Sequence, residues 1–507
     1  MGRPGAERRG DASDRMAGEL MTTTYPPSLP FVEGRAVEPG SGVHTALREP
    51  ATGEPLGRLL TADEACVDSA VLAARRALDG PWRRTSPVTR SRLLHRLADE
   101  LEAQHDALSM LEARNVGKAI TSVRAEVSHA VDTFRYFAAA TAAIEGKSSR
   151  PNGALAFQSF REPVGVVAQI VPWNYPLLMA AWKVAPALAS GCTVVLKPDP
   201  ATPLTALRLA ELALDAGIPP GVLNVVPADG PRVGSHLVRH AGVDRVAFTG
   251  STATGGEIMR LAADPVKRLS LELGGKSPTV VFADADLDDA VPGAVWGAFT
   301  CAGQSCEARS RVLVEDEVFD RFLERFLDQS RTLRVGDPLD PDTVVGSLIS
   351  TAHRERVHGF VERARAAGAQ VLLGGVVPAG PGAFYPPTVV LAPRDAEIVR
   401  DEVFGPVVTV QRFRDEEEAV ALANDTKYGL FATVWTGDPG RAQRVAAGVR
   451  AGTVGINHPY TTFPGVPFGG FKQSGFGREF ALETLSEYLE SKSVLTWTSR
   501  RPANPLR

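Results

Sequence analysis

An alternation of short apolar runs with helical segments, which begins near Val166, constrains the fold more than any other feature of the sequence. Runs rich in β-branched residues and bounded by glycine and proline cover 166–171, 193–197, 223–226 and 245–249. The segment 204–216, between the second and third runs, has the apolar spacing of a helix. Strands that alternate with helices in this way form a parallel sheet with helices on both faces. The sequence therefore predicts an α/β fold with a doubly wound parallel sheet.

A second alternation of the same kind begins near Gly274. Predicted strands cover 279–282, 312–315, 407–413 and 432–436, and predicted helices cover 317–333, 352–368, 416–424 and 441–449. A chain of 507 residues also exceeds the size at which one hydrophobic core keeps growing. We therefore expect two doubly wound α/β domains, the first formed by 24–145 and 163–273 and the second by 274–475.

The region upstream of both alternations is predicted to be helical. Thr61 is the predicted cap of a first helix, and apolar spacing predicts one long amphipathic helix over 86–112 with Pro87 in its first turn. Residues 1–23 lack the apolar stretch of a secretory signal, and we expect a disordered tail there. An Arg-bearing organelle-targeting peptide fits these residues less well, because acidic residues dilute the positive charge: Glu7, Asp11, Asp14 and Glu19.

Composition bounds the partners of the protein. The formal net charge of -4 gives no electrostatic reason to expect nucleic acid or an anionic membrane, and no apolar run has the length of a spanning helix. Four cysteines in a chain this long do not form a disulfide framework and suit a reducing compartment, so we predict a cytoplasmic protein. Cys301 and Cys306 have no His or Cys cluster nearby, and no metal site is predicted.

Three short motifs hold the residue types that acyl chemistry at a carbonyl requires. Cys306 follows a Gly-Gln turn in the segment Phe-Thr-Cys-Ala-Gly-Gln-Ser-Cys. Glu272 precedes a Gly-Gly pair in Glu-Leu-Gly-Gly-Lys-Ser-Pro, and Asn174 lies between two prolines. A lone cysteine is more often a packing residue. A nucleophile, a carboxylate base and an amide donor for an oxyanion together indicate a catalytic site.

In these motifs, with their order and spacing over about 52–494, the sequence resembles the hydrolytic NAD(P)-dependent aldehyde dehydrogenases. The resemblance implies oxidation of an aldehyde to the carboxylic acid, through a thiohemiacetal and a thioester on Cys306 that water hydrolyses. It assigns the general base to Glu272 and the oxyanion site to Asn174 and the backbone N–H of Cys306. It also implies that Lys183 and Glu479 relay a proton outward, although an ion pair at the surface or at an interface fits these two residues equally well.

The nucleophile must ionise for this chemistry, because a cysteine with a pKa of about 8.5 is mostly thiol at neutral pH. We expect partial exposure, nearby helix N-termini and a cationic nicotinamide to increase the thiolate fraction of Cys306.

The resemblance implies NAD as the working cofactor, with NADP tolerated. The glycine-containing turn at 248–255 follows a strand and opens a helix, an arrangement that binds pyrophosphate. Pro200 stands three residues after Lys197, where many NAD-preferring members of the family have a glutamate that binds both ribose hydroxyls. Loss of that carboxylate removes a repulsion against a 2′-phosphate. The full set of implied cofactor contacts is Val171, Trp173, Lys197, Gly230, Gly250, Ser251, Glu402 and Phe404.

The resemblance also places aromatic residues along an aldehyde tunnel: Tyr175, Trp182, Phe299 and Phe468. The run from Tyr175 to Trp182 is similar to that of betaine-aldehyde and aminoaldehyde dehydrogenases, whose aromatic residues hold an ammonium group. Thr300 stands where several of those enzymes have a further Trp. Uncharged aliphatic or aromatic aldehydes therefore fit at least as well as betaine aldehyde.

Two other functions remain open at this point. A relative that passes the thioester to coenzyme A shares the same fold, but such enzymes tend to lack the base that Glu272 supplies. A non-catalytic binding or structural protein is the other possibility, and the presence of Cys306, Glu272 and Asn174 argues against it.

The last strand-like run, 491–497, comes too late in the chain to belong to the second sheet. In the family such a strand joins an arm inserted in the first domain, which implies a small β oligomerisation arm at 146–162 and 489–498. Because edge strands pair with other chains, the resemblance implies a homodimer or a homotetramer.

Overall fold

The computed structural model describes residues 25–459 and 462–499. The predicted tail at 1–23 lies outside these residues. None of the helices in the described part of the chain is long and apolar enough to cross a membrane.

The first sheet has eight strands, and its five central strands run parallel to one another. In spatial order the strands are Gly475–Phe476, Arg268–Glu272, Arg245–Thr249, Val166–Ile170, Thr193–Lys197, Leu223–Val225, Phe31–Val32 and Arg35–Ala36. The associated helices are Glu64–Asp79, Pro87–Ala103, His105–Val116, Ile120–Ala140, Pro176–Ser190, Leu204–Asp215, Gly230–Arg239 and Thr252–Ala263. The carboxyl ends of the parallel strands meet at one edge, where ligands bind in open α/β sheets.

The second sheet has seven strands, of which one edge strand is antiparallel. In spatial order the strands are Gln370–Leu373, Thr388–Leu391, Val407–Phe413, Arg311–Glu315, Pro278–Val281, Phe431–Trp435 and Thr453–Ile456. The helices of this half are Leu287–Phe299, Phe319–Arg331, Thr351–Ala366, Glu397–Arg400, Glu416–Asn424 and Pro439–Gly448, and Leu482–Glu487 follows later in the chain.

The predicted α/β class with two parallel sheets is confirmed. Strands Thr193–Lys197, Arg245–Thr249 and Val407–Phe413 have the predicted limits. They could be placed from sequence because both faces of these strands are covered, which produces continuous β-branched runs. The domain limits given above stay predictions.

A separate three-stranded antiparallel sheet contains the last strand of the chain. Leu489–Trp497 pairs along its whole length with Leu155–Pro163, which also pairs with Ser148–Asn152. The prediction that the final strand lies outside the second sheet is therefore confirmed. A two-stranded sheet, His44–Arg48 with Pro55–Leu60, completes the strands.

Two predictions about the helices were wrong. The predicted helix over 86–112 is two helices, because Gln104 leaves helical geometry and its side chain accepts a hydrogen bond from Arg208 Nε at 3.0 Å. The cap of the first helix is Asp63, not Thr61. Asp63 Oδ1 accepts from the N–H of Cys66 at 2.8 Å, and its Oδ2 accepts from Ser41 N and Oγ.

Replacement of this cap should destabilise the protein. Asp63→Ala leaves the buried N–H of Cys66 and two donors of the exposed Ser41 without their acceptor, and we expect a loss of about 2 kcal/mol of unfolding free energy. Thermal unfolding monitored by calorimetry would show a midpoint a few degrees lower. Ser69→Ala on the exposed face of the same helix is the control, expected to change stability by less than about 0.5 kcal/mol. Equal midpoints for the two variants would contradict the assignment of Asp63 as the cap.

Candidate active site

A cavity of about 760 Å³ opens at the carboxyl edge of the first sheet and reaches the segment that carries Cys306. It brings together most of the residues proposed from sequence: Asn174, Glu272, Cys306, Glu479, Trp173, Gly250, Ser251, Glu402, Phe404, Tyr175, Trp182 and Phe468. Lys183, Val171, Lys197 and Gly230 are not part of its lining. Among residues 25–459 and 462–499, no three His, Cys, Asp or Glu side chains are grouped so that they could hold a metal ion.

The segment before Cys306 has an unusual backbone. Cys301, Ala302 and Gly303 all have positive φ, at 51°, 55° and 67°. Such a conformation is costly for residues with a Cβ and persists only where surrounding contacts enforce it. Gln304 supplies such contacts, because its Oε1 accepts from the N–H of Ile349 at 2.9 Å and its Nε2 donates to the carbonyl of Cys301 at 3.3 Å.

The Cys306 thiol is half-buried at the base of the cavity. Burial raises its pKa well above the ordinary value. The nearby carboxylates of Glu307, Glu402 and Glu272 raise the pKa further. Both effects favour the neutral thiol. The expectation that partial exposure, helix N-termini and a cationic nicotinamide increase the thiolate fraction stays a prediction.

Glu272 ends the strand Arg268–Glu272 and is buried beside the cavity. Neither of its carboxylate oxygens has a hydrogen-bond partner among the described residues. Burial first, and then the charge of Glu479, raise the pKa of Glu272 well above its usual range, although Lys183 and Arg478 act in the opposite direction. An unpartnered carboxyl of this kind can take or release a proton without first breaking a hydrogen bond.

Lys183 and Glu479 form a buried ion pair. Lys183 lies on helix Pro176–Ser190, and its carbonyl accepts from Gln169 Nε2 at 2.6 Å. Glu479 is fixed by two backbone hydrogen bonds with Phe468, and its second oxygen has no partner in the part of the chain that the structure describes. The pair is thus neither at the surface nor isolated from the cavity, which Glu479 lines.

Asn174 and Tyr175 connect the first half of the chain to the nucleophile segment. Asn174 Nδ2 donates to the carbonyl of Gln304 at 2.7 Å, which fixes the orientation of the amide. Tyr175 Oη donates to Cys301 Sγ at 3.0 Å. The second N–H of the Asn174 amide group remains to serve a ligand.

Further candidate cofactor residues lie at the carboxyl ends of neighbouring strands. Lys197 ends one strand, Val171 directly follows the adjacent strand, and the N–H of Val171 donates to the carbonyl of Lys197. The ammonium of Lys197 is buried, and within residues 25–459 and 462–499 its one hydrogen-bond contact is a 3.5 Å approach to the carbonyl of Pro198. At Gly230, where φ is 69°, a Cβ would meet no atom within 4 Å, so that position borders open space.

The turn after strand Arg245–Thr249 has the features that a pyrophosphate requires. Ser251 caps helix Thr252–Ala263 by accepting from the N–H of Thr254, and the Thr249 hydroxyl is buried without a partner in the described structure. A Cβ at Gly250 would collide with the ring of Phe248. Helix N-termini and an unpartnered hydroxyl at one edge fit a bound dinucleotide.

On the side of the second sheet, an aromatic cluster lines the same cavity. The ring of Trp173 lies edge-to-face with Phe404 at 5.3 Å and with His353 at 5.4 Å. His353 Nε2 lies 2.7 Å from the carbonyl of Phe404, whose φ is 60°. Next to this cluster, Glu402 Oε1 accepts from the N–H of Gly275 at 2.9 Å, and burial raises the pKa of Glu402 to about 7.

The other end of the cavity has aromatic walls. Trp182 stacks on Phe480 with ring centroids 4.6 Å apart and lies edge-to-face with Phe468 at 5.2 Å. Phe299 is instead fully buried against Phe326 in the core of the second half, so its prediction as a tunnel residue was wrong. Trp296, one turn earlier on the same helix, lines the cavity.

The profile of the aldehyde dehydrogenase family matches residues 37–494. The chain belongs to the aldehyde dehydrogenase family. An aldehyde dehydrogenase from Aspergillus niger is 41% identical over 466 residues, which are 92% of this chain and 94% of that protein.

Solved structures of aldehyde dehydrogenases resemble the chain over nearly its whole length. An NAD-dependent aldehyde dehydrogenase from Sinorhizobium meliloti has a TM-score of 0.94 and 42% identity, covering 96% of this chain and 98% of that one. A betaine aldehyde dehydrogenase from Staphylococcus aureus, in complex with NAD+, has a TM-score of 0.92 and 40% identity, covering 94% of this chain and 96% of that one.

Several cavity-lining residues of this aldehyde dehydrogenase carried no signal in the sequence. His353 lies in the first turn of an otherwise ordinary helix, and Glu307 directly follows Cys306. Asp199 and Asp229 lie outside the lining, but their charges act on Lys197. The position of these four residues relative to the cavity becomes visible only in the folded structure, where distant parts of the sequence lie side by side.

Proposed function

We propose that the protein oxidises an aldehyde to the carboxylic acid with NAD+ and hydrolyses the acyl-enzyme with water. The observation that carries the proposal is that Cys306, Glu272 and Asn174 line one cavity. The turn at Gly250 and Ser251, where a dinucleotide could bind, lines the same cavity. Family membership supports it, and so do the names of the relatives, which are NAD-dependent or in complex with NAD+.

The reaction starts when the Cys306 sulfur attacks the aldehyde carbon. The Cys306 thiol must first lose its proton to solvent, because the thiolate and not the thiol is the nucleophile. The negative charge that develops on the carbonyl oxygen is stabilised by Asn174 Nδ2, whose amide is already oriented by Gln304. One such donor contributes about 3 kcal/mol to transition-state stabilisation.

NAD+, when bound, would accept the hydride that this adduct loses as it becomes a thioester. We propose that it is held by Lys197, Gly230 and Ser251 at the adenosine and pyrophosphate end, and by Glu402, Phe404 and Trp173 at the other end. The backbone at Val171 and Gly250 then forms the surface between these two ends of the cofactor site. The burial of Lys197, which has no close hydrogen-bond partner in the part of the chain that the structure describes, supports this assignment.

Glu272 then activates the water that hydrolyses the thioester. Lys183 and Glu479 provide a route for the released proton, because Glu479 raises the pKa of Glu272 and has an unpartnered oxygen in the described structure. Transfer of the acyl group to coenzyme A would not need this base, so the buried carboxyl group of Glu272 favours hydrolysis.

We propose an uncharged aldehyde as the substrate. The tunnel residues Tyr175, Trp182 and Phe468 give an apolar wall, and one face of the Tyr175 ring is already occupied by the ammonium of Lys118 at 4.1 Å. Betaine aldehyde is the second candidate, because betaine aldehyde dehydrogenases are 40–42% identical to the chain.

We further propose a cytoplasmic homodimer or homotetramer. All four cysteines are free, as in proteins of reducing compartments. The three-stranded sheet has exposed edges and exposes apolar side chains at Phe160, Val494, Leu495 and Trp497. Such edges and patches pair with a second copy.

The test of the function is Cys306→Ser. Because the serine oxygen cannot replace the sulfur in hydride loss, oxidation of hexanal should fall by a factor on the order of 10⁴ or more, while NAD+ still binds. NADH absorbance measures the rate, and ligand-induced fluorescence change measures binding. The wild-type rate should not depend on coenzyme A. Undiminished acid production by Cys306→Ser would refute the proposed nucleophile.

Glu272→Gln should separate the two halves of the reaction. We expect a burst of NADH and then a steady-state rate at least about 100-fold below wild type. In the wild type, the steady-state rate should rise with pH, because a carboxyl group with a raised pKa becomes a base only above that pKa. The rising limb should be absent in the variant. Unchanged steady-state turnover in Glu272→Gln would remove its assigned role.

Cofactor preference should depend on the carboxylates around Lys197. Asp229 begins helix Gly230–Arg239 without a side-chain cap bond, so its replacement costs little structure. Asp229→Asn should increase kcat/KM for NADP relative to NAD by about tenfold, because a like charge facing the 2′-phosphate is removed. Asp264→Asn, at the exposed end of the next helix, is the matched control. Equal ratios in the two variants would contradict this account.

A further inference from the structure

Two charged side chains in the nucleophile segment have no role in the mechanism above. Glu307 directly follows Cys306 and is 9% exposed, and Arg309 is 0% exposed. A buried arginine is costly unless its guanidinium is paired and hydrogen-bonded. Their position next to the nucleophile therefore requires an explanation.

The guanidinium of Arg309 is held from several sides. Nη1 donates to Glu307 Oε2 at 2.9 Å, and Nη2 donates to the carbonyl of Pro459 at 2.7 Å. Its centre lies 5.1 Å from the ring of Trp296 and 5.2 Å from the ring of Phe431. These contacts restrain the guanidinium, whose Nε has no hydrogen-bond partner among the described residues.

The backbone around Arg309 is equally constrained. Its N–H donates to the carbonyl of Gly297 at 2.9 Å, and a Cβ at Gly297 would lie only 2.5 Å from Arg309 Nε. Gly297 therefore has to lack a side chain for Arg309 to fit beneath helix Leu287–Phe299.

Glu307 lies on the wall of the same cavity as Cys306. Its Oε2 belongs to the ion pair, and its Oε1 has only a 3.5 Å contact with the hydroxyl of Ser305. Cys301 and Tyr175 also experience its charge. The carboxylate is thus restrained mainly by Arg309.

We propose that Arg309 is a positioning residue for the nucleophile: its ion pair holds the Glu307 carboxylate against the cavity wall and keeps it from the sulfur of Cys306. The inference rests on the proposed role of Cys306. It assigns the Glu307–Arg309 pair a function in setting the charge next to the reacting sulfur.

Three carboxyl groups bear on the ionisation of Cys306, namely Glu307, Glu402 and Glu272. Glu307 is the largest of these influences after burial, and it raises the pKa of the thiol. Removal of its negative charge therefore stabilises the thiolate. Removal of Arg309 has the opposite effect, because the carboxylate is left without its partner beside the sulfur.

The test measures the pH dependence of Cys306 alkylation by iodoacetamide in the full-length protein without aldehyde. Glu307→Gln should lower the midpoint by about one pH unit, and Arg309→Gln should raise it by a similar amount. The double variant should have the midpoint of Glu307→Gln, because Arg309 acts through Glu307. Arg309→Lys retains an ion pair and should restore a midpoint near wild type. Cys306→Ser is the control that measures alkylation of the three buried cysteines.

Other outcomes overturn the proposal. They are an unchanged midpoint in Glu307→Gln, a lowered midpoint in Arg309→Gln, or an Arg309 effect that persists in the double variant. If Arg309→Gln does not fold, the alkylation midpoints of Glu307→Gln and Arg309→Lys test the proposal. Because alkylation involves no aldehyde oxidation, failure here is distinct from failure of the proposed function, which Cys306→Ser tests by NADH production.

A second readout separates positioning from general packing. A displaced carboxylate obstructs the aldehyde and not the cofactor, so Arg309→Gln should raise KM for hexanal about tenfold with a nearly unchanged Kd for NAD+. Equal losses in both constants would indicate a merely structural role and would overturn the proposal.

Discussion

The close approach of Gly275 to Cys306 and of Gly274 to Glu402 is the constraint on which the site depends. A Cβ at Gly275 would collide with the carbonyl oxygen of Cys306, and a Cβ at Gly274 would collide with the carboxylate of Glu402. Because neither glycine has a side chain, the segment that follows strand Arg268–Glu272 can contact both groups. The Gly275 N–H also donates to Glu402, which links this segment to the loop before strand Val407–Phe413 of the second sheet.

Burial, more than charge, sets the electrostatics of this junction. It raises the pKa of Cys306 and of Glu272, so both groups favour their neutral forms. The ion pair of Lys183 and Glu479 lies beside them as a fixed pair of charges. A protonated thiol is a poor nucleophile, so ionisation of Cys306 must accompany any reaction at this sulfur.

Much of the fold and the centre of the site could be predicted from sequence. Strand Thr193–Lys197 and its neighbours are continuous β-branched runs, and the motifs of Glu272 and Cys306 are local. Asp63 was missed because its competitor Thr61 is also a cap-forming residue, and only the donors of Cys66 and Ser41 distinguish them. The break at Gln104 was missed because apolar spacing continues across it. Arg208, which donates to the Gln104 side chain, lies far away in the sequence.

The tunnel shows the limit of residue-by-residue inference from a family resemblance. Phe299 and Trp296 lie on one helix, and a difference of three residues decides which ring faces the cavity and which faces the core. Arg309 gave no signal either, since its partners are a carbonyl at Pro459 and two rings from other elements.

Two elements near the end of the chain complete structures that begin much earlier. Gly475–Phe476 adds an edge strand to the first sheet, and Leu489–Trp497 pairs with Leu155–Pro163. On a ribosome, the first half of the protein emerges long before either strand is synthesised. Until they are made, strand Arg268–Glu272 and one edge of strand Leu155–Pro163 lack these partners, so a product truncated before Gly475 would expose unpaired strand edges.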